Sequence, residues 1–189
     1  MTYRPVFRKQ ADGSACQWTN CSPASHAMAT DRHCRGVDPV PGGAWPPTPR
    51  LIRAAIGCTV GRGTTLEQNR TACRNLYGVT LTIRYRVPWL TFKSMLKAGR
   101  GSVVLIQYSA LHGTKFDACP SFNGGHSIYV NELNAAGTLA LVMDPLADGR
   151  RAGIPKGAKW WPLSLLKKAA GAYPSAGYGF VHTDATKDT

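Results

Sequence analysis

The stretch Gln17-Trp18-Thr19-Asn20-Cys21-Ser22-Pro23-Ala24-Ser25, continuing as a possible helix to Cys34, decides how the chain reads. Ala24, Ala27, Met28 and Asp31 follow helical spacing, and Pro23 is tolerated only in a first turn, so the pattern predicts a helix from Cys21 to Cys34. That puts Cys21 at a helix N-terminus, where unpaired N–H groups and the macrodipole favour negative charge and lower a thiol's pKa. The thiolate is the attacking form, so Cys21 is a candidate nucleophile. Taken alone, a thiol packed beneath a turn explains the residue better.

A nucleophilic cysteine needs a base from elsewhere in the chain. His126 follows Gly124-Gly125 and opens the apolar strand Ser127-Ile128-Tyr129-Val130. The glycines permit close approach of another group, and a strand start holds the ring at a fixed angle. The other histidines suit the task less well. His26 lies five residues along the nucleophile's own helix and off its face, His33 lies further along it, His112 falls in a loop and His182 in the last strand. Asp144 ends the next strand, in Val142-Met143-Asp144-Pro145, and a hairpin turning at Asn134 to Gly137 returns it towards His126. A carboxylate there could accept the imidazole's second N–H and fix its tautomer. The plainer alternative is that Asp144 starts the turn that Pro145 continues, and Asn131 and Asp148 are weaker candidates for its place.

Outward from these residues, Val37 to Pro49 is rich in proline and glycine and reads as a surface loop. Thr48 to Ile56 is a short helix closed by Gly57, and Thr64 or Thr65 caps another that runs to Tyr77 and stops at Gly78. Val79 to Tyr85 alternates as a strand, Pro88 opens a helix through Lys97, and Val103 to Tyr108 is a buried strand. A polar loop, Ser109 to Gly125, leads to the hairpin strands His126 to Asn131 and Thr138 to Asp144. A helix, Leu163 to Ala170, and a strand, Tyr178 to His182, complete the pattern. Helices first and antiparallel strands later give α+β order, in one domain spanning 1–189 with an N-terminal arm, 1–13, and a C-terminal tail, 183–189.

The longest apolar runs, Val103 to Ile106 and Leu139 to Met143, are strand-sized, so no membrane span is expected. Met1 to Gly13 carries Arg4, Arg8, Lys9 and Asp12 with no apolar stretch behind them and does not read as a secretory signal. A formal charge of +13 favours contact with polyanions, whether nucleic acid, anionic wall polymers or acidic proteins. The basic residues are scattered, however, without the basic-aromatic stripe of a nucleic-acid module. Six cysteines at irregular spacing, with no Cys-x-x-Cys pair, predict neither a zinc site nor a disulfide framework: one reactive thiol, Cys21, and five buried or incidental ones.

A cysteine at a helix start, a histidine opening an apolar strand and Asp-Pro closing the next, over Gln17 to Phe180, resembles papain-like cysteine peptidases of the bacteriocin-processing type. It is also similar to cysteine-peptidase domains in tail and lysis proteins of phages infecting actinobacteria. The resemblance implies a papain-like α+β fold with N-terminal helices on an antiparallel sheet, and a Cys21–His126–Asp144 triad with no metal or organic cofactor. In that family a glutamine before the cysteine joins the cysteine's own N–H in the oxyanion hole. Gln17 matches it here at a closer spacing, Asn20 being the alternative, and Ser22 stands where a glycine is common. The expected substrate is a peptide or peptidoglycan, with other virion proteins as partners, for a protein made in a bacterial cytoplasm and carried on a virion. A catalytically inactive virion binding module and a maturation protease are the alternatives.

Overall fold

The structure is a computed structural model that describes residues 3–40, 44–151, 153 and 156–173, and the backbone of 180–182. The C-terminal tail, 183–189, and the start of the expected last strand lie outside the described residues.

Helix α1 runs Cys21–Cys34, with the bounds the sequence predicts. It is buried on every side from Ser22 to Arg32, which small residues such as Ala24, Ala27 and Ala29 make possible. Helix α2, Pro49–Ile56, starts where the Thr48 hydroxyl accepts from the Leu51 N–H at 3.2 Å and ends at Gly57. Helix α3, Leu66–Tyr77, opens on a capping box between Thr65 and Gln68 and stops at Gly78, whose φ of 67° suits glycine. Strand β1 covers only Thr82–Arg84, because Val79 and Leu81 pack into the cluster beneath α1–α3 before pairing begins. Helix α4, Trp89–Lys97, and strand β2, Ser102–Gln107, follow. Tyr108–Leu111 is a short 3-10 turn. Strands β3, Gly125–Leu133, and β4, Leu139–Met143, form the expected hairpin.

Strand β5, Ala158–Pro162, has no counterpart in the sequence reading. It is an edge strand in which Trp161 alone is buried, so apolar alternation is faint, and Pro162 closes it. Helix α5, Leu163–Gly171, and strand β6, Phe180–His182, end the described chain. The sheet is antiparallel throughout, in the order β1-β6-β2-β3-β4-β5. Helices α1–α3 cover one face, around Met28, Ile52, Leu66, Val103 and Tyr129; α4 and α5 cover the other, around Phe92, Leu96, Val104, Ile128, Trp161 and Leu166.

One further expectation needs correction. Cys16 and Cys58 form a disulfide, with Cα atoms 6.1 Å apart, although the sequence spacing predicts none. Docking of α2 on α1 brings together cysteines 42 positions apart, and loop-closure entropy for such a span is worth roughly 4 kcal/mol. Cys34, Cys73 and Cys119 are free, as is Cys21. The N-terminal arm is built into the domain: the Val6 N–H donates to Asp31 at 2.6 Å, the Gln10 N–H to the Pro145 carbonyl at 3.2 Å, and Gln10 and Ala11 are buried.

Candidate active site

Cys21 is the first residue of α1, preceded by a 3-10 turn, Gln17–Thr19. The buried Ser25 hydroxyl, one turn on, donates to the Ser127 carbonyl at 3.0 Å and ties the helix to the start of β3. That tie sets the Cys21 thiol close enough to His126 for each to shift the other's pKa. Burial pushes the thiol's pKa up; the hydrogen bond and charge of His126, and the N–H groups of Ser127 and Ser22, outweigh it and leave the pKa lowered.

His126 Nε2 lies 2.7 Å from Asp144 Oδ1, both side chains nearly inaccessible, so Nδ1 is the nitrogen left for the sulfur. Burial alone would lower the imidazole's pKa. The Asp144 charge and hydrogen bond, followed by those of Cys21, raise it well above the ordinary value. Tyr108 and Phe122 meet the ring edge-on at centroid distances of 5.2 and 6.1 Å and restrict its tilt. The glycines before His126 make room for aromatic rings rather than for backbone: a β-carbon on Gly125 would run into Tyr173, and one on Gly124 into Phe122.

Asp144 reaches His126 because of a one-residue bulge. Near the turn Leu133 pairs with Ala140 and Glu132 with Leu141, whereas beyond the bulge Val130 pairs with Val142 and Tyr129 with Met143, so Asn131 is the extra residue. Continuing that register sets Asp144 opposite Ile128, two residues from His126 and on its face of the sheet. Without the extra residue Asp144 would sit opposite Tyr129, and its side chain would point to the other face. Asp144 also accepts the Leu146 N–H at 2.8 Å, so it starts the turn as well as meeting the histidine.

The competing residues are engaged elsewhere. Asn131 accepts from the Tyr129 hydroxyl at 3.4 Å, and Asp148 meets the backbone and side chain of Arg150, each at 3.1 Å. Asn20 cannot serve as oxyanion donor: its amide nitrogen donates to Asp12 at 3.1 Å and Ser14 at 3.3 Å, leaving only its oxygen towards other groups. Gln17 accepts the Gly13 N–H at 3.2 Å through Oε1, which leaves its amide nitrogen able to donate. Burial holds His26 down at about pKa 4, with Nδ1 2.8 Å from the Ser22 carbonyl. His112 Nε2 meets the Phe122 carbonyl at 3.1 Å. Ser25 and the bulge at Asn131 escape sequence reasoning; the serine's helical register beside Cys21 was the available signal.

Among the described residues no three His, Cys, Asp or Glu side chains gather as a metal site, and no helix is long and apolar enough to cross a membrane. No protein-family model matches the chain and no curated protein shows significant sequence similarity to it. The fold is similar to the crystal structure of a candidate C39-like peptidase from Bacillus anthracis, with a TM-score of 0.57 and 12% identity over 94% of each chain. At that identity the likeness shows the fold alone: α+β, similar to that of the C39-like peptidase.

Proposed function

We propose that the chain is a cysteine peptidase or amidase, and the observation that carries this reading is the coupled Cys21–His126–Asp144 geometry. Attack of the Cys21 thiolate on an amide carbon forms a C–S bond and an oxyanion. The Cys21 N–H stabilises the oxyanion, with the Gln17 side chain as second donor. Collapse breaks the C–N bond as His126 Nδ1 gives its proton to the departing amine. His126 then takes a proton from water, which attacks the thioester and releases the carboxylate and the thiolate. Asp144 keeps the proton of Nε2 in place and stabilises the imidazolium.

The substrate in this proposal is the peptidoglycan stem peptide, cleaved by a virion-associated or lytic phage protein made in a bacterial cytoplasm. The charge of +13 would hold the enzyme against anionic wall polymers. The Cys16–Cys58 disulfide fits action in an oxidising, extracytoplasmic setting.

Two measurements test the reading. Iodoacetamide at pH 7 is expected to label Cys21 at least about 100-fold faster than Cys34 or Cys73, whose pKa values burial pushes up to about 11 and about 12. Incubation with actinobacterial peptidoglycan is expected to release new amino termini, more slowly at high salt and not with Cys21→Ala. Cleavage of protein substrates alone would reassign the enzyme to maturation proteolysis. Uniform labelling without cleavage would favour a papain-fold binding module.

A further inference from the structure

Ser22 follows Cys21 directly, and its surroundings give it a role. The residue is buried at the start of α1 and held at three points. Its hydroxyl accepts from Asn69 Nδ2 at 3.1 Å, and its carbonyl lies 2.8 Å from His26 Nδ1. The hydroxyl also lies 3.4 Å from His26 Nδ1.

Asn69 lies on the first turns of α3 and is fully buried. The same amide nitrogen that reaches Ser22 also meets the Thr64 hydroxyl at 2.8 Å and the Thr65 carbonyl at 2.6 Å. Thr65 is the cap of α3 and is locked in its box with Gln68. An amide with two hydrogens shared among three acceptors is anchored firmly to the α3 start. A buried side chain spent this way costs desolvation unless its bonds are kept.

We propose that Asn69 is a positioning residue for the thiol. By tying the Ser22 hydroxyl to the cap of α3, it fixes the first turn of α1 and so the place of the Cys21 thiol before substrate arrives. A glycine at this position could not be gripped, and serine supplies the handle. The inference rests on the reading of Cys21 as nucleophile. The other charged or titratable groups near the sulfur are fixed by other partners: His126 by Asp144, and the buried Arg53 of α2 by the carbonyls of Thr59 at 3.2 Å and Arg62 at 2.7 Å. His26 faces the Ser22 carbonyl and is neutral near pH 7.

The test is the pH profile of Cys21 alkylation by iodoacetamide, which needs no substrate. Asn69→Ala should move the profile up by about one unit, an about tenfold loss of labelling rate on the acid side. Ser22→Ala, which removes the gripped hydroxyl and its 3.4 Å contact with His26, should move it similarly, and the double variant no further than either single one. With a cleavable substrate kcat should fall while KM stays. A lowered melting temperature with an unmoved profile in either folded variant would overturn the positioning role, as would additive shifts in the double variant. If Asn69→Ala does not fold, Ser22→Ala decides alone. A parent Cys21 that titrates like an ordinary thiol would overturn the nucleophile reading and this one together. A depressed parent profile that both variants leave unmoved would overturn this one alone.

Discussion

The two faces of the sheet are built from different chemistry. Against α4 and α5 the buried set is mostly apolar, with Phe92, Val104, Ile106, Ile128, Val130, Val142, Trp161 and Leu166, and its polar members Ser102, His126 and Asp144 are few. On the side of α1–α3, Met28, Ile52 and Leu66 share the interior with Ser22, Ser25, His26, Thr30, Arg53 and Asn69. Burial of apolar area is non-directional and tolerates repacking, whereas a buried hydroxyl or amide is stable only with its partner at a fixed place. The cysteine stands on the second kind of face. The contrast assigns stability mainly to one layer and the position of the thiol mainly to the other, with His126 and Asp144 at the junction.

The largest expected effect lies at that junction. Asp144→Asn should depress kcat by about 10⁴-fold, because an amide can hold the wrong imidazole tautomer. The same change removes the main influences raising the His126 pKa, and with them part of what lowers the Cys21 pKa, so alkylation of Cys21 near pH 7 should slow. The fold should persist, since Asn retains an oxygen for the Leu146 N–H. Unchanged turnover would assign the orienting role elsewhere and detach the site from the β3–β4 bulge.

A second variant probes the apolar layer. Trp161→Ala should cost about 3–5 kcal/mol of stability, as emptying a large buried side chain does. Provided the protein is still folded, the pH profile of Cys21 alkylation should stay where it is. A denaturant melt and the alkylation profile from one preparation check both halves. A shifted profile would show that the two layers do not divide the work as described.

Most of this architecture is legible in the chain because local chemistry specifies it. The Pro23 turn, the Thr48 and Thr65 caps and the glycines at 57 and 78 bound three helices to within a residue. Helix start, strand start and Asp-Pro also single out Cys21, His126 and Asp144 as candidates, and His126 meets Asp144 at 2.7 Å. Illegible were features that depend on what lies opposite. Strand β5 buries one residue of five and carries almost no period. The disulfide joins cysteines whose proximity comes only from the docking of α2 on α1. Nothing local marks Asn131 as the bulge that turns Asp144 towards His126. Asn20 reads as an oxyanion donor until Asp12 and Ser14 are seen to take its N–H groups.

The smallest expected effect comes from His26, the titratable member of the polar layer. Its Nδ1 meets the Ser22 carbonyl, and burial holds its pKa at about 4, against an ordinary 6.5. The unfolded chain therefore binds a proton between these values where the folded chain does not, and stability must fall as pH drops through that window. The loss from pH 7.5 to 4.5 is about 2.5 kcal/mol. His126 acts in the opposite sense: its pKa is raised, so its contribution grows as pH falls towards the ordinary histidine pKa and is complete only below it. The His26 loss is therefore read as the difference between the urea-melt slopes of the parent and of His26→Gln, which keeps a donor for the Ser22 carbonyl but no titrating ring. Below about pH 5.5, where His126 no longer contributes, the parent alone should still lose stability. Equal slopes would mean that the polar layer is open enough to hydrate His26 when it charges, and the contrast between the two faces would then narrow to the hydrogen bonds of Ser22, Ser25 and Asn69.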